Sequence, residues 1–291
     1  TVTTDVLGGT GNDQITAQDS AVIGGKISGD DGNDQIFVSG ATVNGMISGG
    51  SGNDSLTTAI GTYTVDDMEH LTVLSGELRL NQGNYETLNT SSAAVVAPLQ
   101  SATIFSGNVN HSGLFDMGRN YTPGDTLTVQ GAYTGNNGAF RLDAAMGTAS
   151  SVADKLYFNG SVSGQSILKV QGTGPSYGQP GQDALVVDTG STIAGGDAFR
   201  LTNPLVQLGF YNYYLEQRST QWYLTVDPEI SPTVPAYNRN LLLHYNLVQE
   251  LLDIDQNSKA EWNPWARYIG KSFDLKMEDG RYGSHLYGIQ A

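Results

Sequence analysis

The chain has no cysteine, four histidines, and only 14 basic side chains against 29 acidic ones in 291 residues. No apolar run approaches the roughly 18 residues that a membrane-spanning helix needs. Without cysteine there can be no disulfide staple, thiolate metal site or thiol nucleophile. A net charge of −15 argues against nucleic acid or an anionic membrane as partner, since both call for a basic face. Lack of cysteine suits a bacterial exported chain that stays unfolded in transit. No signal peptide is visible at Thr1, so one is expected to have been removed or to lie outside this piece.

What is abundant is glycine, 37 residues, with no collagen-like triplet period. Val, Ile, Leu, Tyr and Thr recur in short alternating runs, a pattern of strands rather than of disorder. The acid is unevenly spread. Residues 1–70 hold ten carboxylates and one cation, Lys26, whereas the residues from Pro235 onward are nearly balanced. The N-terminal excess suits divalent cations, or simply solubility.

Residues 8–15 read Gly-Gly-Thr-Gly-Asn-Asp-Gln-Ile, residues 29–36 Gly-Asp-Asp-Gly-Asn-Asp-Gln-Ile, and residues 49–56 Gly-Gly-Ser-Gly-Asn-Asp-Ser-Leu. Ala21–Ser28 and Thr42–Ser48 are also alike, so the whole unit of about 20 residues repeats and not merely its turn. A unit of that length is one coil of a parallel β-helix, whose strand edges stay unpaired until the next coil stacks on them. Stacking puts Ile15, Ile36 and Leu56 in one inward file and Ile27 and Ile47 in another. Asn12, Asn33 and Asn53 form a turn column whose side-chain amides can hydrogen-bond along the stack. About five coils would fill residues 1–110.

The three turns resemble the glycine- and aspartate-rich nonapeptides of repeat-in-toxin proteins. By that resemblance Asp13, Asp34 and Asp54 are candidate side-chain ligands for a structural Ca²⁺, a hard ion wanting six to eight oxygens. The toxin motif recurs every nine residues, whereas here it comes once per coil. The residues therefore leave two readings open: a Ca²⁺ site and a metal-free Asn/Asp corner.

Further on, Leu127–Gly138, Asp154–Gly160, Gly196-Asp197-Ala198-Phe199 and Trp222-Tyr223-Leu224 follow in the order of the autochaperone region of type Va autotransporters. The resemblance covers about 100 residues and implies a pertactin-like passenger. Its fold class is all-β, a right-handed parallel β-helix with a C-terminal capping and autochaperone region, followed by a short α-helix and a barrel-strand stub. It divides the chain into solenoid (1–119), autochaperone (120–227), Pro-rich linker and helix (228–258), and the first strands of a truncated outer-membrane barrel (259–291). The helix is read from Tyr237, Leu241, Tyr245, Val248 and Leu252, and the barrel strands from 262–273 and 283–290.

Catalytic signals are weak. Asp188-Thr189-Gly190-Ser191 copies the aspartic-protease sequence, but no second copy exists to share a proton. Gly174-Pro175-Ser176-Tyr177-Gly178 fits the nucleophile-elbow pattern, but its flanks read as loop rather than strand and helix. The four histidines have no zinc spacing. Trp222 and Tyr223 are expected to cap the solenoid core. The expected function is that of a non-enzymatic passenger fragment, secreted or displayed at the bacterial surface. The full protein would be anchored by its own outer-membrane barrel. The expected role is adhesion, through a host receptor, the matrix or self-association, with no cofactor other than Ca²⁺. The alternative is the stalk of an enzyme whose catalytic domain lies upstream.

Overall fold

The alternation of inward apolar and outward polar residues in each short run makes a strand with one dry side. The glycine- and asparagine-rich links between runs turn the chain through a corner. In the computed structural model these runs wind into coils. It describes residues 1–147, 150–173, 182–191, 194–208, 211–230, 267–277 and 280–290, in two units, Thr1–Glu229 and Ile230–Ala291.

The first unit is a parallel β-helix of three faces. On the first face the strands Gln14–Gln18, Gln35–Ser39, Ser55–Ala59, His70–Val73, Thr87–Thr90 and Val109–His111 stack in parallel register. Ile15, Ile36, Leu56, Leu71, Leu88, Val109 and Tyr133 thereby form one inward file. On the second face Val6, Ile27, Ile47, Val65 and Leu80 form another. The third face begins as an isolated bridge, Val2 with Ile23, and a two-residue parallel pairing of Val22–Ile23 with Thr42–Val43, and becomes regular only from Ala102–Phe105 onward. Both files expected from the repeat are present, and Ile27, Ile47 and Leu56 are at most 1% exposed.

The coil length is not constant. Vertical neighbours are separated by 21, 20, 15 and 17 residues, and then by 21 and 24. The two short coils have lost the glycine-rich turn, so the sixth rung starts at Val109, one more than the constant period of 20 predicts for 1–110.

From Tyr133 the architecture changes. Tyr133–Ala145 and Val162–Gly172 are long strands that run across both the first and second faces, with a register shift between Asn136 and Gly138 where earlier coils have a corner. The third face continues in parallel through Thr126–Val129, Lys155–Phe158 and Ala184–Asp188. It then reverses: Gln221–Ile230 pairs antiparallel with Ala184–Asp188, and Val206–Leu208 pairs antiparallel with Tyr211–Arg218. An antiparallel end stops the stack, because the chain folds back on its own last edge instead of offering it to a further coil.

The core composition follows the same division. The first coils are filled with Ile, Leu and Val. From Tyr85 on, the interior is a continuous aromatic file through Phe105, Phe115, Phe140, Tyr133, Phe158 and Phe199 to Trp222, with successive ring centroids 4.5–6.4 Å apart. Trp222 ends this file at 1% exposure, the capping position expected for it, whereas Tyr223 lies on the outer side with Arg218 over its ring.

The second unit contains an antiparallel hairpin, Arg267–Met277 with Gly280–Gln290. The helix expected over 236–255 and the serine motif at 174–178 lie outside the described residues. Among the described residues the helical element is the 3₁₀ turn Gly118–Asn120.

Candidate functional site: a carboxylate column and an aromatic cap

The repeated turn is built from two side-chain ladders running in opposite directions. The main-chain N–H of Asn33 donates to Asn12 Oδ1, and that of Asn53 to Asn33 Oδ1, each at 2.9 Å. One residue further on, the N–H of Asp13 donates to Asp34 Oδ1 and that of Asp34 to Asp54 Oδ1, both at 2.7 Å. Each coil thus gives an amide to one neighbour through Asn and receives one from the same neighbour through Asp. The asparagines do stack, but through side-chain oxygen and main-chain amide rather than amide to amide.

The second carboxylate oxygen explains the first glycine of each turn. Asp34 and Asp54 are at most 1% exposed. Oδ2 of Asp13, Asp34 and Asp54 is enclosed with no hydrogen-bond partner. A Cβ on Gly29 would run into Asp34 Oδ2 and the Gly49 carbonyl oxygen, and one on Gly49 would run into Asp54 Oδ2. The first glycine therefore makes room for the carboxylate of its own coil. The third has a different duty: Gly52 has φ +147° and lies against the Gly32 carbonyl oxygen. Asp30, which replaces a glycine of the motif, takes φ 71° itself.

Asp13, Asp34 and Asp54 thus line up in one column, with one oxygen of each but the first holding a main-chain amide. Among the described residues no group of three or more His, Asp or Glu side chains converges on one point. Burial, with the neighbouring charges of Asp34 and Asp67, pushes the Asp54 carboxyl up, against the amide of Asp34 that lowers it.

The cap carries its own buried polar groups. Asp154 is fully buried; its Oδ1 accepts from the N–H of Gly124 and Asp125 and its Oδ2 from that of Asp143. Burial outweighs these donors and lifts its pKa to about 6. Asp143 is held by Gln171 Nε2 at 2.6 Å. His111 sits among Phe115, Tyr133 and Phe140, with Nδ1 3.1 Å from Tyr133 Oη, which is 2.5 Å from Ser166 Oγ. Burial depresses its pKa to about 4. His111, Tyr133 and Ser166 come from three successive coils and are each at most 1% exposed, so this chain of contacts braces the core instead of meeting a substrate.

Two features missed by pattern reading matter as much. Arg119, in the 3₁₀ turn, forms a bidentate pair with Glu77, Nη1 to Oε1 and Nη2 to Oε2 at 2.7 Å. Arg141 and Asp116 pair beside it at 2.7 Å. Glu77 is held below the usual carboxylate range, chiefly by Arg119. This clasp joins residues 42 apart, so no local pattern announces it. Glu69 is the second: its Oε2 accepts the N–H of Asp54 at 2.9 Å. Asp188 of the protease-like sequence spends its oxygens on the Gly190 N–H and Gln221 Nε2, which hold its turn. A cavity of about 390 Å³ beside Phe199 and Trp222 is rimmed by Arg200, Asn203 and Gln217, with no carboxylate, serine or histidine among the described residues that line it.

Residues 102–215 match the family described as Autochaperone Domain Type 1. The chain is 26% identical over 255 residues to the uncharacterized protein YuaQ of Escherichia coli K12, covering 73% of this chain and 18% of that one. It is 32% identical over 167 residues to the probable autotransporter YfaL of the same organism, covering 56% and 12%. The chain spans about a fifth or less of the length of these curated relatives. Among solved structures, the Haemophilus influenzae Hap adhesin superposes with a TM-score of 0.50 at 21% identity, over 74% of this chain and 24% of that one, a likeness of fold.

Proposed function

We propose that this chain, an autotransporter passenger segment belonging at the bacterial surface, is a display stalk whose C-terminal part is the folding template for the coils before it. The observation that carries the reading is the asymmetry of the stack. Its C-terminal end is closed by antiparallel strands over an aromatic file, whereas the coils of 1–80 have short strands and cores that are aliphatic apart from Tyr63. A coil that stacks on a folded edge gains its pairing and burial at once, whereas an isolated coil bears its loop entropy alone. Deleting 120–227 should therefore leave 1–110 sensitive to protease. Unchanged β-rich circular dichroism and protease resistance of 1–110 alone would refute the templating role.

The parent protein would use this stalk for adhesion. A file of outward-facing neutral side chains supports that reading: Thr16, Phe37, Thr57, Thr72, Asn89, Asn110 and Thr134 follow one another up the first face. Hydroxyls and amides around a single ring, without net charge, suit a host receptor, a matrix glycan or a second copy. Aggregation of cells displaying the chain would favour it; a monomer that leaves cells dispersed and bare of host surface would count against it. An enzymatic domain upstream is the competing reading, supported by no residue here. The 267–290 hairpin would supply the first strands of the protein's own outer-membrane barrel, reached through the 228–258 linker.

A further inference from the structure

The glycine-rich turn stops after the third coil, yet the carboxylate column does not. In register, Asp54 is followed by Glu69, since His70 pairs with Ser55. The Asn position is followed by Met68, fully buried and unable to continue the asparagine ladder. The step to this coil is only 15 residues, against 20 or 21 before it. At this one seam the reciprocal pair of side-chain bonds is reduced to a single bond, from the Asp54 N–H to Glu69 Oε2. A glutamate reaches one carbon further than an aspartate, which fits a corner whose turn has been cut away.

We propose that Glu69 is the adapter through which the regular G-x-G-N-D coils dock on the irregular coils that follow, by offering a carboxylate to the main-chain amide of the incoming turn. The kind of segment it fits is an extended turn with a free N–H at the aspartate position, which residues 49–56 supply. The role needs an acceptor oxygen at the right reach and no metal ion. Between Glu69 and the cap lie only coils without the turn motif, so this seam is where the folding template first meets the repeat. The proposal rests on that templating reading, but the two can fail separately.

The test is amide hydrogen exchange on the whole chain, read separately over 1–60 and 85–226. Glu69→Ala orphans the Asp54 amide, and exchange over 1–60 should rise roughly tenfold to a hundredfold, with 85–226 unchanged. Glu69→Gln keeps an acceptor of the same reach and should stay within a few-fold of the parent, whereas Glu69→Asp should behave like Ala. Chelator added to the parent should change nothing. Four results would overturn the adapter: 1–60 untouched by Glu69→Ala, Gln as damaging as Ala, Asp as protective as Glu, or a chelator effect that matches Glu69→Ala. If Glu69→Ala has no effect while removal of 120–227 still exposes 1–60, the adapter fails and the template stands. Protection of 1–60 without 120–227 sinks the template alone.

Discussion

The two ends of the solenoid solve one problem with different chemistry. The first three coils are nearly identical, held by aliphatic files and by main-chain amides capped at each corner. The stretch from Tyr85 to Trp222 has coils of unequal length, corners flattened into bulges, an aromatic interior, and buried Asp143, Asp154 and His111. A repeated coil can be written twice because its neighbours are copies of itself. An end cannot be written that way, since it must close on something unlike itself. Interlocking rings supply a large buried area and a fixed packing order where repetition no longer serves.

This contrast can be broken most forcefully at the rings. Phe158→Ala, fully buried between Tyr133 and Phe199, should cost about 3–5 kcal/mol and lower the denaturant midpoint of the whole first unit. A loss confined to a local rise in exchange would mean that the cap is not the keystone. In the regular coils, Gly29→Ala forces a methyl onto Asp34 Oδ2. It should cost about 1–3 kcal/mol, with amide exchange raised in 1–60 and little change over 133–172. A variant as stable as the parent would show that the carboxylate slot has slack.

The buried groups of the cap give a pH test. Burial lifts the folded pKa of Asp154 to about 6 from the ordinary 3.8. Its contribution is thus fully present below the unfolded value and lost as pH rises through 6. His111 is depressed to about 4 from 6.5, so its contribution is present above 6.5 and lost as pH falls toward 4. Between these limits the two oppose each other. With His111→Phe, melting temperature at pH 4.5 relative to pH 7 should gain about 5–10 °C over the parent. An unaltered pH profile would remove His111 from the balance. The smallest effect belongs to the clasp: Arg119 is about a third exposed, so Arg119→Ala should cost under about 1 kcal/mol, diminishing in high salt. A salt-independent loss would mean that the arginine acts by packing and not by charge.

Much of this is legible in the sequence because the repeat is local. Three copies of one turn define the inward files Ile15–Ile36–Leu56 and Ile27–Ile47. Three of the four cap motifs, Leu127–Gly138, Asp154–Gly160 and Gly196-Asp197-Ala198-Phe199, fall within the 102–215 family match, which starts before the expected 120 and ends before Trp222. What pattern reading misses depends on distance or on a broken period. Glu77 and Arg119 are far apart in the chain, and Glu69 occupies the aspartate position only because the coil length drops. The repeat reveals the turn aspartates but not their orientation. The motif names an Asp beside glycines, and only the stacked backbone decides that an oxygen faces an amide of the adjoining coil.

The paired ladders at the corner also bear on how such a chain changes length. Because each regular coil gives one amide and takes one at the same boundary, an in-frame gain or loss of one complete unit leaves every donor matched. The shaft can therefore grow or shrink in steps of one layer, while an insertion of any other size would strand polar groups at a bend. Extension by whole modules is inexpensive here in a way that modification of the terminal plug is not.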